Sequence, residues 1–275
     1  MNSVRISFLK GLTKLSLWYA GKLVRDGASD FSDALIRRVN IFRQTDLYDG
    51  ERNPSRESVG KVWLTLIDEL EALFESNAQA YEEAGLQLLW PHIEARIQQS
   101  GDAVEPTERP YDCWSSNVRA AGPVCDKTGE NVHQLACAMV EIHVDNIYKP
   151  KSPVSDMRIP FAASLIRLLE TAQRSDPEVK AVRCETWINS NPAFAKFFPA
   201  SWSASAVPID WINYEVSHWG QFEDRRGDFH HRNGELFRDT GKLPFPCTSC
   251  SSPIEEVLQH LRTRFPDAVS HNRSL

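Results

Sequence analysis

The sequence predicts an α+β fold: an N-terminal helical region packed on a C-terminal α/β domain with a small, mostly parallel sheet. Two observations predict it. Over the first hundred residues apolar side chains recur at helical spacing. From residue 134 onward short apolar runs alternate with amphipathic stretches, the order of a β-α-β sheet. Residues 101–133, with several Pro and Gly, read as a linker or lid between them. The expected organisation is therefore 1–100 helical, 101–133 linker or lid, and 134–275 α/β.

The elements follow in order. Phe8, Leu12, Leu15, Tyr19 and Leu23 form the apolar stripe of a first helix. FSDALIRRVNIFRQ gives a second. The turn-rich YDGERNPS ends it, and a third helix carries the stripe from Val59 through Trp63, Leu66 and Leu70 to Phe74. A fourth, AYEEAGLQLLWPHIEARIQQSG, contains Pro91, which is expected to kink or divide it. LACAMVEIHVDN is then a buried strand, MRIPFAASLIRLLETAQRSD a helix, VKAVRCETWI a second strand and NPAFAKFFPASW a short helix. VPIDWINYEVSHW reads as a third strand. DFHHRNGELFRDTG is a helix capped by Asp228 and stopped at Gly241, and SPIEEVLQHLRTRF closes the chain.

Composition limits the function classes. The chain of 275 residues carries a formal net charge of -6, which removes a whole-protein electrostatic case for binding nucleic acid. No apolar run reaches the roughly 18 residues of a membrane span. Lys10 and Lys14 interrupt what would be the core of a signal peptide, so a cytoplasmic location is expected. Cys247 and Cys250 form the only C-x-x-C, between prolines, and read as loop residues rather than a metal or redox pair.

The candidate site comes from what the strand ends carry. In open α/β sheets ligands bind beyond the carboxyl ends of the strands. Those ends carry His143, Asp145 and Asn146, then Glu185, Trp187, Asn189 and Asn191, then His218, Trp219 and Gln221. Three readings use them. His143 and His218 can act as proton-transfer catalysts near neutral pH, with Asn146, Trp187, Asn189, Trp219, Gln221 and Arg225 binding a small-molecule substrate. Alternatively His143, Asp145 and His218 supply two histidines and a carboxylate, the composition of a facial Fe(II) triad. Third, the cluster serves a non-enzymatic binding or interaction module, its polar groups fixing loops or a partner.

The H-x-D followed by a distant His also resembles the ligand pattern of Fe(II)/2-oxoglutarate oxygenases, with Arg225 or Arg226 where a co-substrate carboxylate would be held. From about residue 143 to 246, through HVDNIYKPKSP, ETWINSNPAFAKFFPASW and HWGQFEDRRGDF, the chain resembles a group of uncharacterised bacterial proteins. The run HVDN…KSPVSD…RCETWI is similar to the GNAT-like C-terminal half of acyltransferases that carry a helical N-terminal half. That resemblance implies acyl-CoA as co-substrate and an enzyme of bacterial small-molecule metabolism.

Overall fold

The first periodic stretch becomes a 23-residue helix, α1 (Ser3–Arg25), which buries Phe8, Leu12, Leu15, Tyr19 and Leu23 as their spacing requires. The computed structural model describes residues 3–39, 41–50, 55–77, 79–100, 110–125, 132–135, 137–209 and 216–272. After α1 comes a single α-turn, α2 (Phe31–Asp33), whose cap Asp30 accepts the Asp33 N–H at 2.8 Å. It continues as a π-helical stretch over Ala34–Arg38, followed by a 3-10 turn over Ile41–Gln44. Helix α3 (Lys61–Ser76) buries Trp63, Leu66, Ile67 and Leu70.

Helix α4 (Tyr81–Ser100) contains Pro91 and is not divided by it. Proline removes one backbone donor from a helix interior. The following residue is held from outside: the Asp46 N–H donates to the His92 carbonyl at 3.0 Å, and the Asp46 carboxylate lies 2.9 Å from His92 Nδ1.

The next described elements are β1 (Trp114–Arg119), β2 (Gly122–Cys125), β3 (Val132–Leu135), β4 (Ala138–Val144), α5 (Arg158–Ser175) and β5 (Val179–Thr186). Two short helices, α6 (Pro192–Ala195) and α7 (Ala200–Ala204), precede the two-residue strand β6 (Val207–Pro208). A helical turn α8 (Val216–Trp219), α9 (His231–Thr240), β7 (Thr248–Pro253), α10 (Ile254–Arg264) and α11 (Pro266–Asn272) complete the order.

The chain forms two compact units, residues 1–107 with 210–244, and residues 108–209 with 245–275. The sequence reading had put all of 134–275 in one α/β domain. Residues 210–244 join the helices instead, because their apolar side chains find partners there. Trp219, Phe222 and Phe237 are buried in one cluster with Tyr19 and the rest of the helical core. Phe237 lies 5.1 Å from Tyr19 and edge-on to Trp18 at 5.3 Å.

Within the helical unit, Phe229 is wedged where α1 and α9 carry glycine. A Cβ at Gly11 would lie 2.4 Å from Phe229 Cγ, and one at Gly234 would lie 2.7 Å from Phe229 Cζ. Helix α9 ends at Gly241 (φ 65°), as expected. Its cap is His230, whose Nδ1 accepts the Asn233 N–H at 3.4 Å. Asp228, the expected cap, accepts the Phe229 N–H at 2.7 Å instead.

The second unit carries a five-stranded sheet in the order β1-β4-β5-β7-β6. Only β4 and β5 are parallel, and the other three pairings are antiparallel. The α+β class holds, but the expected mostly parallel sheet is corrected to a mixed one. The missing strands are β1 (WSSNVR) and β7 (TSCSSP), whose small polar residues give no apolar run to read. Strand β7 is fixed by tertiary bonds: the Ser205 hydroxyl donates to the Ser251 carbonyl at 2.7 Å and accepts its N–H at 2.8 Å.

The expected third strand over 207–219 is also corrected. Among the described residues Val207–Pro208 is its only extended part and 216–219 is helical, while 210–215 lie outside the described residues. Of the linker over 101–133, residues 110–125 and 132–133 are described, and β1, β2 and part of β3 fall there.

The sheet has one apolar and one polar face, as alternation demands. Val140, Ile142, Val182, Cys184 and Cys250 face a buried cluster with α5 and α10. Helix α5 is locked against β1 at its first turn, where Trp114 stacks on Phe161 at 4.5 Å and donates its indole N–H to the Phe161 carbonyl at 3.0 Å.

Candidate functional site

The parallel pair at the centre of the sheet is where the second unit opens. The β4–β5 ladder runs from Ala138↔Val179 to Glu141↔Arg183 and stops there, with an irregularity at Ala138/Met139. Both strands continue. β4 stays paired with β1 as far as Val144, and β5 stays paired with β7 as far as Thr186. Ile142–Val144 and Cys184–Thr186 thus bond outward while no longer bonding each other. The β4–β5 ladder therefore ends before either strand does.

Because β4 and β5 are parallel, the residues that follow them sit at the same end of the sheet. His143, Asp145, Asn146, Trp187 and Asn189 are brought together to that extent. His143 is exposed, on the sheet face opposite the apolar core, with Nε2 3.4 Å from the Asn117 amide across β1. This is the diagonal contact an antiparallel pair allows. Asp145 is exposed just past the strand, and its N–H donates to the Cys113 carbonyl at 2.9 Å.

The two asparagines are committed to structure. The Asn146 side chain donates to the Lys151 carbonyl at 3.0 Å and accepts the Tyr148 N–H at 3.0 Å, shaping the loop after β4. Asn189 donates to the carbonyls of Cys184 (3.0 Å) and Thr248 (2.8 Å) and accepts the Trp202 indole N–H at 3.2 Å. It thereby ties the turn after β5 to β7. Trp187 is half-buried against Phe245, with ring centroids 5.6 Å apart.

The other half of the expected constellation lies in the helical unit. His218 is 1% exposed and Gln221 is 0% exposed, both inside that unit's packing. Gln221 donates to the His218 carbonyl at 2.7 Å, and Asn233 donates to the Gln221 carbonyl at 2.7 Å, joining the turn to α9. Trp219 is a core residue against Tyr19 and Phe222. Arg225 is exposed in the turn between Glu223 and Phe229. His218, Trp219 and Gln221 therefore hold the helical core together. The expected roles for them in substrate handling assumed a strand end that is a buried helical turn.

The His143, Asp145 and His218 triad is corrected for the same reason. His218 is buried in a helical turn rather than placed at a strand end. Among the described residues no three His, Cys, Asp or Glu side chains gather as a metal site. Cys247 and Cys250 are buried and unbridged, and Cys250 stands opposite Cys184 across β5 and β7. Burial raises the Cys184 and Cys250 thiols above their ordinary value and pushes Cys113 up to about 11, so these are poorly ionised thiols.

Two further features lie at this end of the sheet. The first is a chain of charges across the open sheet face. Glu141 accepts from Arg119 at 2.6 Å and from Arg183 at 3.4 Å, and Arg183 also bonds Glu185 and the Ser249 hydroxyl (2.8 Å). Arg183 and Glu185, two apart on β5, with Glu141 on β4, were the available signal. The second is the loop from Asp145 to α5, with Lys149, Lys151 and Arg158. The α5 cap, Met157, offers no side-chain bond to the first-turn N–H groups.

No protein-family model matches this chain, and no curated protein or solved structure matches it. Among the described residues no helix is long and apolar enough to cross a membrane.

Proposed function

We propose that the second unit is an acyltransferase of the GNAT-like kind, moving an acyl group from a coenzyme A thioester to a small amine. The carrying observation is the early end of the β4–β5 ladder. A single parallel pair, joined by the crossover helix α5 inside an otherwise antiparallel sheet, parts at the end from which that helix departs. The parted strands offer backbone donors and acceptors, which suits an extended amide-bearing arm such as pantetheine.

The phosphates of such a donor fit the adjoining loop. The uncapped first turn of α5 presents N–H groups and the positive end of the helix dipole. Lys149, Lys151 and Arg158 add cationic side chains around it. The thioester supplies the activated acyl carbonyl. Transfer then requires the attacking amine to lose a proton as its nitrogen bonds that carbon and the thiolate leaves. His143, exposed on β4 beyond the last β4–β5 pair, is the candidate base. The Asn117 amide beside it orients the ring.

The same reading makes the protein an enzyme of small-molecule metabolism in the cytoplasm of a bacterium, without a nucleic-acid partner. The net charge of -6 and the unbridged buried thiols support that placement.

The experiment is calorimetric titration of the full chain with coenzyme A, beside Arg158→Glu and His143→Ala. Binding weakened by Arg158→Glu and kept in His143→Ala, together with thiol release from acetyl-CoA lost in His143→Ala, supports the assignment. No binding of coenzyme A at millimolar concentration removes it.

A further inference from the structure

The helical unit carries a groove of about 560 Å³ that the transfer reading does not use. That volume lies within the range of small-molecule sites, roughly 300–1,000 Å³. Every residue lining it belongs to the helical unit. Ser7, Lys10, Gly11 and Lys14 lie on one face of α1 at helical spacing, and His231, Gly234, Glu235 and Arg238 lie likewise on α9. Between them lies the ring of Phe229, seated where the two glycines leave no side chain. The middle of the groove is thus an aromatic ring and helix backbone, with no charge in it.

The charges stand on the rim and are unequal in how they are answered. The Lys14 ammonium pairs with Glu83. Arg238 makes two bonds to Glu82, at 3.0 and 2.7 Å. Among the described residues Lys10 has no carboxylate partner, and its ammonium rests over the Trp90 ring at 4.8 Å. Such a contact orients the cation without neutralising it. The lining acid, Glu235, stands four residues after His231, the spacing at which helix side chains meet. His231 packs edge-on to Phe229 at 5.3 Å, beside the apolar floor.

We propose that this groove binds a small organic anion with an apolar body. The acid group would meet Lys10, and the body would lie on Phe229 along the glycine faces of α1 and α9. The site is independent of the acyl-transfer reading and belongs to different elements of the chain.

The test is calorimetric titration of the full-length protein with octanoate, with octylammonium as the probe of equal length and opposite charge. The expected result is one octanoate per chain with a Kd below about 1 mM, weakened about tenfold by Lys10→Glu, and no binding of octylammonium. Lys10 is exposed, so the variant should keep the wild-type melting temperature. Lys10→Met should lie between the two, because it removes the charge and keeps the apolar stem. Failure of octanoate to bind, equal binding to Lys10→Glu, or equal binding of octylammonium would each overturn the proposal.

Discussion

The two units use the same residue types in opposite ways. His218, Trp219 and Gln221 in the helical unit point into a core where aromatic rings meet edge to face. His143, Asp145 and Trp187 in the sheet unit stand at or beyond strand ends, exposed or half-buried. His and Trp mark packing in one and an accessible edge in the other. Burial, rather than residue identity, separates the packed set from the exposed one.

The largest expected effect tests that contrast. Trp219→Ala removes a fully packed ring from the helical core and should cost about 3–5 kcal/mol of stability. Trp187→Ala, at the half-buried edge, should cost less than half as much. Urea unfolding of the two variants reads both, and equal losses would break the comparison.

Next in size is the glycine seat of Phe229. Gly11→Ala places a Cβ 2.4 Å from the ring, so the ring or α1 must shift, at a cost of about 1–3 kcal/mol. Pairing it with Phe229→Ala sharpens the point, since the added methyl should do less harm once the ring is gone. A double-mutant cycle showing simple additivity would contradict the seat.

In the sheet unit, Asn189→Ala leaves the Cys184 and Thr248 carbonyls without its amide, a loss of about 1–3 kcal/mol. His143→Ala should change stability by less than about 0.5 kcal/mol, because the ring is exposed. That pair separates the asparagine that ties the turn after β5 to β7 from the exposed histidine on β4. A His143→Ala variant that melts far below wild type would place His143 with the structural group.

The smallest effect is electrostatic. The Ser7 hydroxyl bonded to Asp228 holds that carboxyl below its ordinary range, with the Phe229 N–H and His231 adding to it. A depressed carboxyl contributes stability that is present above its ordinary value and is lost as pH falls through its lowered one. Asp228→Asn should therefore melt slightly below wild type at neutral pH and converge with it in strong acid. Melting curves that differ by the same amount at every pH would show that the carboxylate's charge is not involved.

Much of the fold was legible because its elements carry strong local patterns. α1 and α3 announce themselves by apolar stripes, and β4 and β5 by apolar runs. β1 and β7 did not, because WSSNVR and TSCSSP each bury few residues and carry no apolar run, their pairing coming from neighbouring strands. The candidate site was legible in part for the same reason. His143 and Asp145 followed from β4, and Trp187 from β5. His218, Trp219, Gln221 and Arg225 were attached to an expected strand whose described end, Val216–Trp219, is helical.

By itself, then, the sequence determined the class of each half and the polar residues following the two parallel strands, since periodicity and strand ends are local properties. Only the tertiary structure decided that 210–244 belongs with the helices, that β7 enters beside β5, and that β4 and β5 part after Glu141 and Arg183. Each of those depends on which distant surface a segment buries against or bonds to. An apolar ring such as Trp219 is equally satisfied by any core that fits it, so spacing along the chain cannot say which one it joins.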